Sequence, residues 1–254
     1  MALLDVRSVS KSFGHLAALD DVSVAVERGA IDGVIGPNGA GKSTLFNLVT
    51  GIVRVDRGKV AFEGARIDTS ETYRIAEAGI ARTFQNIRLF DFLSAGDNVM
   101  AGEHSRLQAG LWDDLLHTPR QRREEYRARA RALDLLEFVG LRDAAETYAR
   151  NLPYGSQRRL EIARALASQP RLLLLDEPAA GMNPREKDGL ADLVRAIRDR
   201  DIAVLLIEHD MGLVMNVCET ITVLDGGVTI AKGTPAQVRH DPRVIEAYLG
   251  TAAP

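Results

Sequence analysis

Short apolar runs recur along the chain, and between them lie longer stretches in which apolar residues return every three or four positions. The runs Leu3–Val9, Val22–Val26, Ile31–Ile35, Lys59–Phe62, Ile80–Phe84, Leu172–Asp176, Ala203–Ile207 and Ile221–Leu224 are predicted as strands, with helices following the third and the sixth. Strands that are apolar on both faces and alternate with helical patterns describe a mostly parallel sheet covered by helices. The expected fold class is therefore α/β. Between about Ser94 and Arg150 the strand signal gives way to Ala, Leu, Arg and Glu, which favour helix, and an inserted helical subdomain is predicted there.

One strand-to-helix junction carries recognisable chemistry. Gly36-Pro37-Asn38-Gly39-Ala40-Gly41-Lys42-Ser43-Thr44 follows the strand Ile31–Ile35 and leads into a helix beginning near Lys42, with the spacing of a P-loop. Glycines let such a loop curl closely around phosphates, and the next helix presents its amides and positive end to the anion. Lys42 would reach the β- and γ-phosphates of a nucleotide, and Ser43 would ligate Mg²⁺. A plain glycine-rich turn would not require Lys and Ser at those two places.

The strand Leu172–Asp176 ends in the paired acids Asp176 and Glu177. At the carboxyl edge of a parallel sheet, where a nucleotide would lie, Asp176 can hold Mg²⁺ directly or through a bound water, and Glu177 can orient and deprotonate an attacking water. Taken alone, two such acids could merely cap the next turn; a P-loop in the same chain favours the metal and the water. His209 follows the strand Ala203–Ile207 and could donate a hydrogen bond to a γ-phosphate, and Gln85 could contact metal or water. Each is uninformative by itself and gains weight from the others.

Composition narrows the picture. The 254 residues are 46% hydrophobic and 26% charged, which suits one compact domain with a subdomain. A formal charge of -3 provides no general attraction to nucleic acid, so no nucleic-acid partner is expected. Arg120, Arg122, Arg123, Arg127, Arg129 and Arg131 form a basic stretch that Glu124 and Glu125 interrupt, as on a solvated helix face. Cys218, the single cysteine, excludes an internal disulfide and is expected to be a small buried residue. The early charges Asp5 and Arg7 do not suit a secretory signal, and no stretch approaches the roughly 20 apolar residues of a membrane span.

With these residues assembled, the chain resembles the ABC ATPases. Asn151-Leu152-Pro153-Tyr154-Gly155-Ser156-Gln157-Arg158-Arg159-Leu160-Glu161 looks like that family's signature loop and the start of its helix, and the order P-loop, Gln85, signature, Asp176-Glu177, His209 follows the family along nearly the whole chain. The stretches Arg82 to Phe90, Leu160 to Leu166 and Asp241 to Gly250, and the insert around Gly110-Leu111-Trp112 and Leu115 to Pro119, are similar to the ATP-binding subunits of branched-chain amino-acid importers. Pro153 stands where the general signature has Ser, Tyr154 where it has Gly, and Asn183 where an acid is common, each as in that subgroup. Ser156 replaces Gln or Glu, so the contact of the longer side chain does not carry over. Asp32 interrupts an apolar strand and reads only as an exposed strand start.

The resemblance implies a P-loop NTPase core at about 1–90 and 153–232, with a mostly parallel sheet and an N-terminal antiparallel β subdomain. It further implies a helical subdomain at about 91–152 and a C-terminal helical tail at about 233–254. The implied activity is ATP hydrolysis with Mg²⁺ coupled to transport. Phe13 would stack on adenine, unless it is a core aromatic. Tyr154, Gly155 and Ser156 of one subunit would close over ATP held by residues 36–44 of another, in a pair of identical or sister ATPase subunits. Further partners would be integral membrane permease subunits, contacted near Gln85 and the apolar cluster Leu111, Trp112, Leu115 and Leu116, and indirectly a solute-binding protein. The chain would then sit in the cytoplasm against the inner face of the membrane. Import of urea or amides, export of a lipid and a soluble role in repair or translation are the alternatives within the same ATPase family.

Overall fold

Five residues that are all apolar, or apolar but for one acid, can be buried on both faces only inside a sheet whose strands pair on each side. In the computed structural model, which describes residues 2–103 and 119–249 (side chains of 119–125 and 249 excepted), the chain divides into two units, Met1–Arg82 with Arg171–Pro254, and Thr83–Pro170. The cluster Leu111, Trp112, Leu115 and Leu116 and the side chains of Arg120, Arg122 and Arg123 lie outside the described residues.

The first unit holds two sheets. β1 (Leu4–Phe13), β2 (Leu16–Val26), β4 (Arg57–Phe62) and β5 (Ala65–Arg66) form an antiparallel sheet in the order β2-β1-β4-β5. β3 (Ile31–Ile35), β6 (Ile80–Arg82), β7 (Leu172–Asp176), β8 (Ala203–Ile207), β9 (Thr220–Asp225) and β10 (Val228–Gly233) form the second, in the order β10-β9-β3-β8-β7-β6. All its neighbours pair in parallel except β10, which runs antiparallel to β9. Between the sheets, Phe46 and Leu48 of the helix Lys42–Val49 pack with Leu4, Val6, Val22, Leu172, Leu205 and Ile207. Each side chain so buried contributes about 1.5–3 kcal/mol.

The register fixes where the chemistry falls. Val34 pairs with Ile207, and Ile207 with Asp176. The residues that follow β3, β8 and β7, namely Gly36, Glu208 and Glu177, therefore emerge at one edge of the sheet. The turn after Glu177 leads into the helix Pro184–Arg198, capped by Asn183, whose side chain accepts from the Glu186 N–H while Glu186 reaches back to the Asn183 N–H at 2.9 Å. A neutral amide serves this cap fully, which gives Asn183 a structural reason to stand where an acid is common.

In the second unit the helices Ala95–Glu103, Pro119–Phe138 and Tyr154–Ala167 pack together. Asn98, fully buried, accepts from the Phe90 N–H at 2.9 Å and donates to the Phe90 and Ser94 carbonyls at 3.1 and 3.0 Å, pinning the stretch that precedes its own helix.

The predicted strands Ile31–Ile35, Leu172–Asp176 and Ala203–Ile207 are found with the same bounds. The first two antiparallel strands extend further into a hairpin than the pattern predicts, β6 stops at Arg82 rather than Phe84, and β5 and β10 lie outside the predicted strands. Asp32 requires a correction. It is 7% exposed, so it is no exposed strand start, and it accepts a backbone hydrogen bond from Thr220 on the neighbouring strand. Cys218 is buried as expected, and burial pushes its thiol pKa up.

Candidate functional site

The loop between β3 and the helix Lys42–Val49 can be made only by glycine at two points. At Gly36, φ is 151° and a Cβ would lie 2.0 Å from the Leu224 carbonyl oxygen; at Gly41, φ is 98° and a Cβ would lie 2.4 Å from the Ala18 carbonyl oxygen. The helix that follows has no side-chain cap at Gly41 and no acid in its first turn. Its leading amides and positive end are thus left to an anion without competition from the helix's own first-turn side chains.

Lys42 is buried, and its Nζ donates to the Gly36 and Pro37 carbonyls at 2.7 and 2.9 Å. Burial pushes its pKa down, and the charges of Glu177 and Asp176 oppose that shift, so the ammonium lies within electrostatic reach of both acids. Asn38, Gly39 and Ser43 are exposed, Pro37 and Thr44 partly buried, Ala40 buried. Phe13, at the end of β1, is 49% exposed and so is not a core aromatic; the Lys11 ammonium lies 5.5 Å from its ring centroid.

Asp176 is buried at the end of β7 and pairs with Arg82 at 2.7 Å, while the other guanidinium nitrogen donates to Asn47 Oδ1 at 2.7 Å. Glu177 next to it has φ of 48° with its N–H donated to the Ile207 carbonyl at 2.9 Å. A left-handed conformation in a non-glycine residue costs about 1–3 kcal/mol and persists where surrounding structure enforces it. His209 Nδ1 lies 3.7 Å from a Glu177 carboxylate oxygen. The first unit therefore brings residues 36–44, Asp176, Glu177 and His209 to one sheet edge.

Gln85, Tyr154, Gly155 and Ser156 belong to the second unit. Gln85 and Tyr154 are exposed, Ser156 partly buried and Gly155 buried. The helix Tyr154–Ala167 begins without a side-chain cap or a first-turn acid. Its Arg158 donates to the Gln85 and Phe84 carbonyls, the latter at 2.7 Å, and to the Tyr154 hydroxyl at 3.0 Å. Glu161, whose pKa burial raises, accepts from the Phe84 and Arg88 N–H groups at 3.3 and 3.4 Å. Arg158 and Glu161 thus tie the Gln85 loop to the start of the Tyr154 helix.

Several of these partners were not singled out from sequence: Arg82, Arg158, Glu161 and Glu208. Glu208 had a signal, since Ala203–Ile207 ends in an acid just as Leu172–Leu175 does. The arginines had none, because their partners lie far along the chain.

Among the described residues no group of three or more His, Cys, Asp or Glu is gathered for a metal ion. Mg²⁺ bound with a nucleotide needs no such cage; it takes one or two protein oxygens and completes its shell with phosphates and water. The Ser43 hydroxyl and the Asp176 carboxylate are hard oxygen donors of that kind. Among the described residues no helix is long and apolar enough to cross a membrane.

Residues 19–180 match the ABC transporter family, and residues 228–254 match the branched-chain amino acid ATP-binding cassette transporter family. The high-affinity branched-chain amino acid transport ATP-binding protein BraF of Pseudomonas aeruginosa is 44% identical over 251 residues, covering 98% of both chains. The high-affinity branched-chain amino acid transport ATP-binding protein LivG of Escherichia coli is 43% identical over the same span, again covering 98% of each. Among solved structures, a nucleotide-free ATP-binding cassette from an ABC transporter superposes with a TM-score of 0.86 at 33% identity, covering 98% of this chain and 100% of that one.

Proposed function

This chain belongs to the ABC transporter family, and from that membership we propose that it hydrolyses ATP to power import of branched-chain amino acids through a separate membrane permease. The observation that carries the proposal is the shared sheet edge: the P-loop, Asp176-Glu177 and His209 emerge side by side, in a chain matched end to end by branched-chain amino acid transport ATP-binding proteins.

In this mechanism Phe13 stacks on adenine. The loop from Gly36 to Thr44 wraps the phosphates, and Lys42 exchanges its loop carbonyls for β- and γ-phosphate oxygens. Ser43, Asp176 and Gln85 would hold Mg²⁺, which when bound would supply positive charge to the phosphates. Glu177 accepts the proton of the attacking water. His209 donates a hydrogen bond to the γ-phosphate, where charge develops. Tyr154, Gly155 and Ser156 of a second ATPase subunit close over the nucleotide and exclude water. The pair is held at the inner face of the membrane by permease subunits, which a solute-binding protein supplies.

The test is co-purification with the permease followed by ATPase measurements with a solute-loaded binding protein. Hydrolysis stimulated by leucine, isoleucine or valine is expected. Stimulation by a different solute alone would remove the amino-acid assignment, and a complex that never hydrolyses ATP would remove the proposal altogether.

A further inference from the structure

Glu208 has no part in the mechanism above, yet its side chain is 0% exposed. A carboxylate taken out of water costs several kcal/mol unless hydrogen bonds meet its charge. Burial raises its pKa, and three backbone amides oppose the shift. Oε1 accepts from the Ala179 N–H at 2.7 Å; Oε2 accepts from the His209 and Asp210 N–H groups at 3.0 and 3.2 Å. The two oxygens serve different segments: Ala179 lies two residues past Glu177, and the other donors form the turn that carries His209. A second tie runs beside the first, because Lys187 of the helix Pro184–Arg198 pairs with Asp210, whose other oxygen accepts the Leu213 N–H at 3.0 Å.

We propose that Glu208 is a positioning residue which, with the Lys187–Asp210 pair, fastens the segment after Glu177 to the His209 turn, so that the acid and the histidine address the terminal phosphate as one rigid group. The inference rests on the ATPase function proposed above. Capping one turn requires one acceptor; Glu208 presents acceptors on both sides and bridges two turns. Glutamine cannot replace it fully, since its NH₂ would face an N–H on one side or the other. Lost registration between Glu177 and His209 would slow the chemical step while leaving nucleotide binding, carried by Phe13, residues 36–44 and the partner's signature loop, largely untouched.

The experiment measures kcat, KM for ATP and thermal unfolding of the permease complex carrying wild type, Glu208→Gln or Lys187→Met. For Glu208→Gln, kcat is expected to fall about 10- to 100-fold, the cost of a small misplacement of reacting groups. KM should stay within about twofold, as for loss of an interaction made only in the transition state. Any fall in unfolding temperature should be no larger for this variant than for a control that loses one buried hydrogen bond, because loss of the buried charge partly offsets the lost hydrogen bond. Lys187→Met, which cuts the more exposed tie, should show the same pattern more weakly, and decides the matter if Glu208→Gln does not fold. Unchanged kcat in the folded variants, or a fall that only accompanies lower stability and weaker ATP binding, overturns the inference while the ATPase function stands. A wild-type complex without hydrolysis overturns both.

Discussion

Asp32 is the residue at which pattern and structure diverge most. It sits in β3 between β8 and β9, and burial together with Glu219 and Glu27 raises its carboxyl pKa to about 6, against the opposing pull of Lys232 and the Thr220 amide. A carboxyl whose folded pKa lies above its unfolded value near 4 contributes stability in its protonated form. That contribution is complete below about pH 4 and is lost as pH rises through 6. Asp32→Asn mimics the neutral form and keeps an acceptor for Thr220. It should match wild type in chemical unfolding at pH 4 and exceed it by about 1–3 kcal/mol at pH 7.5; equal stability at both values would mean Asp32 is solvated after all. At this scale, the residues legible in the sequence were those whose meaning lies in spacing: Gly36 to Thr44, Asp176-Glu177, and His209 after an apolar strand. Arg82 and Arg158 were not, because each is defined by a partner that only folding supplies, across 94 residues for Arg82 and Asp176.

Burial on both faces made the central strands readable, because continuous apolar runs leave β3, β7 and β8 no other environment. The far end of the β1–β2 hairpin and β10 mix apolar with polar residues and are largely exposed, so their pattern carries no comparable signal. Helix contacts were equally hidden. Gly102 in the helix Ala95–Glu103 looks like a weak helix position, yet a Cβ there would lie 2.1 Å from the Arg164 carbonyl oxygen of the neighbouring helix. Helix propensity favours Ala over Gly by about 1 kcal/mol, whereas forcing an atom into a close contact costs about 1–3 kcal/mol. The clash wins, so Gly102→Ala should lower the unfolding temperature, and a raised one would show that the two helices are not so closely packed.

For the molecule as a whole, the proposed transport role requires a surface on which a permease would dock. Phe90, Phe92, Leu93 and Tyr148 are exposed on the second unit, Phe92 at 72%. The Ala149 N–H donates to the Leu93 carbonyl at 3.0 Å, and the Arg150 guanidinium lies 4.6 Å from the Phe92 ring and 6.0 Å from that of Tyr148. Phe92, Leu93 and Tyr148 therefore lie on one exposed apolar surface, the kind that marks an interaction site. Phe92→Asp is expected to abolish co-purification with the permease while ATP binding by the ATPase persists; intact assembly would move the contact elsewhere.

The proposed mechanism depends on Glu177 acting as the base for ATP hydrolysis at the shared edge of the sheet. The direct measurement is single-turnover ATP hydrolysis and ATP binding by the assembled complex, with wild type beside Glu177→Gln. Removing a general base should cost about 10²- to 10⁴-fold in turnover with ATP still bound. Near-normal hydrolysis by Glu177→Gln would contradict the account.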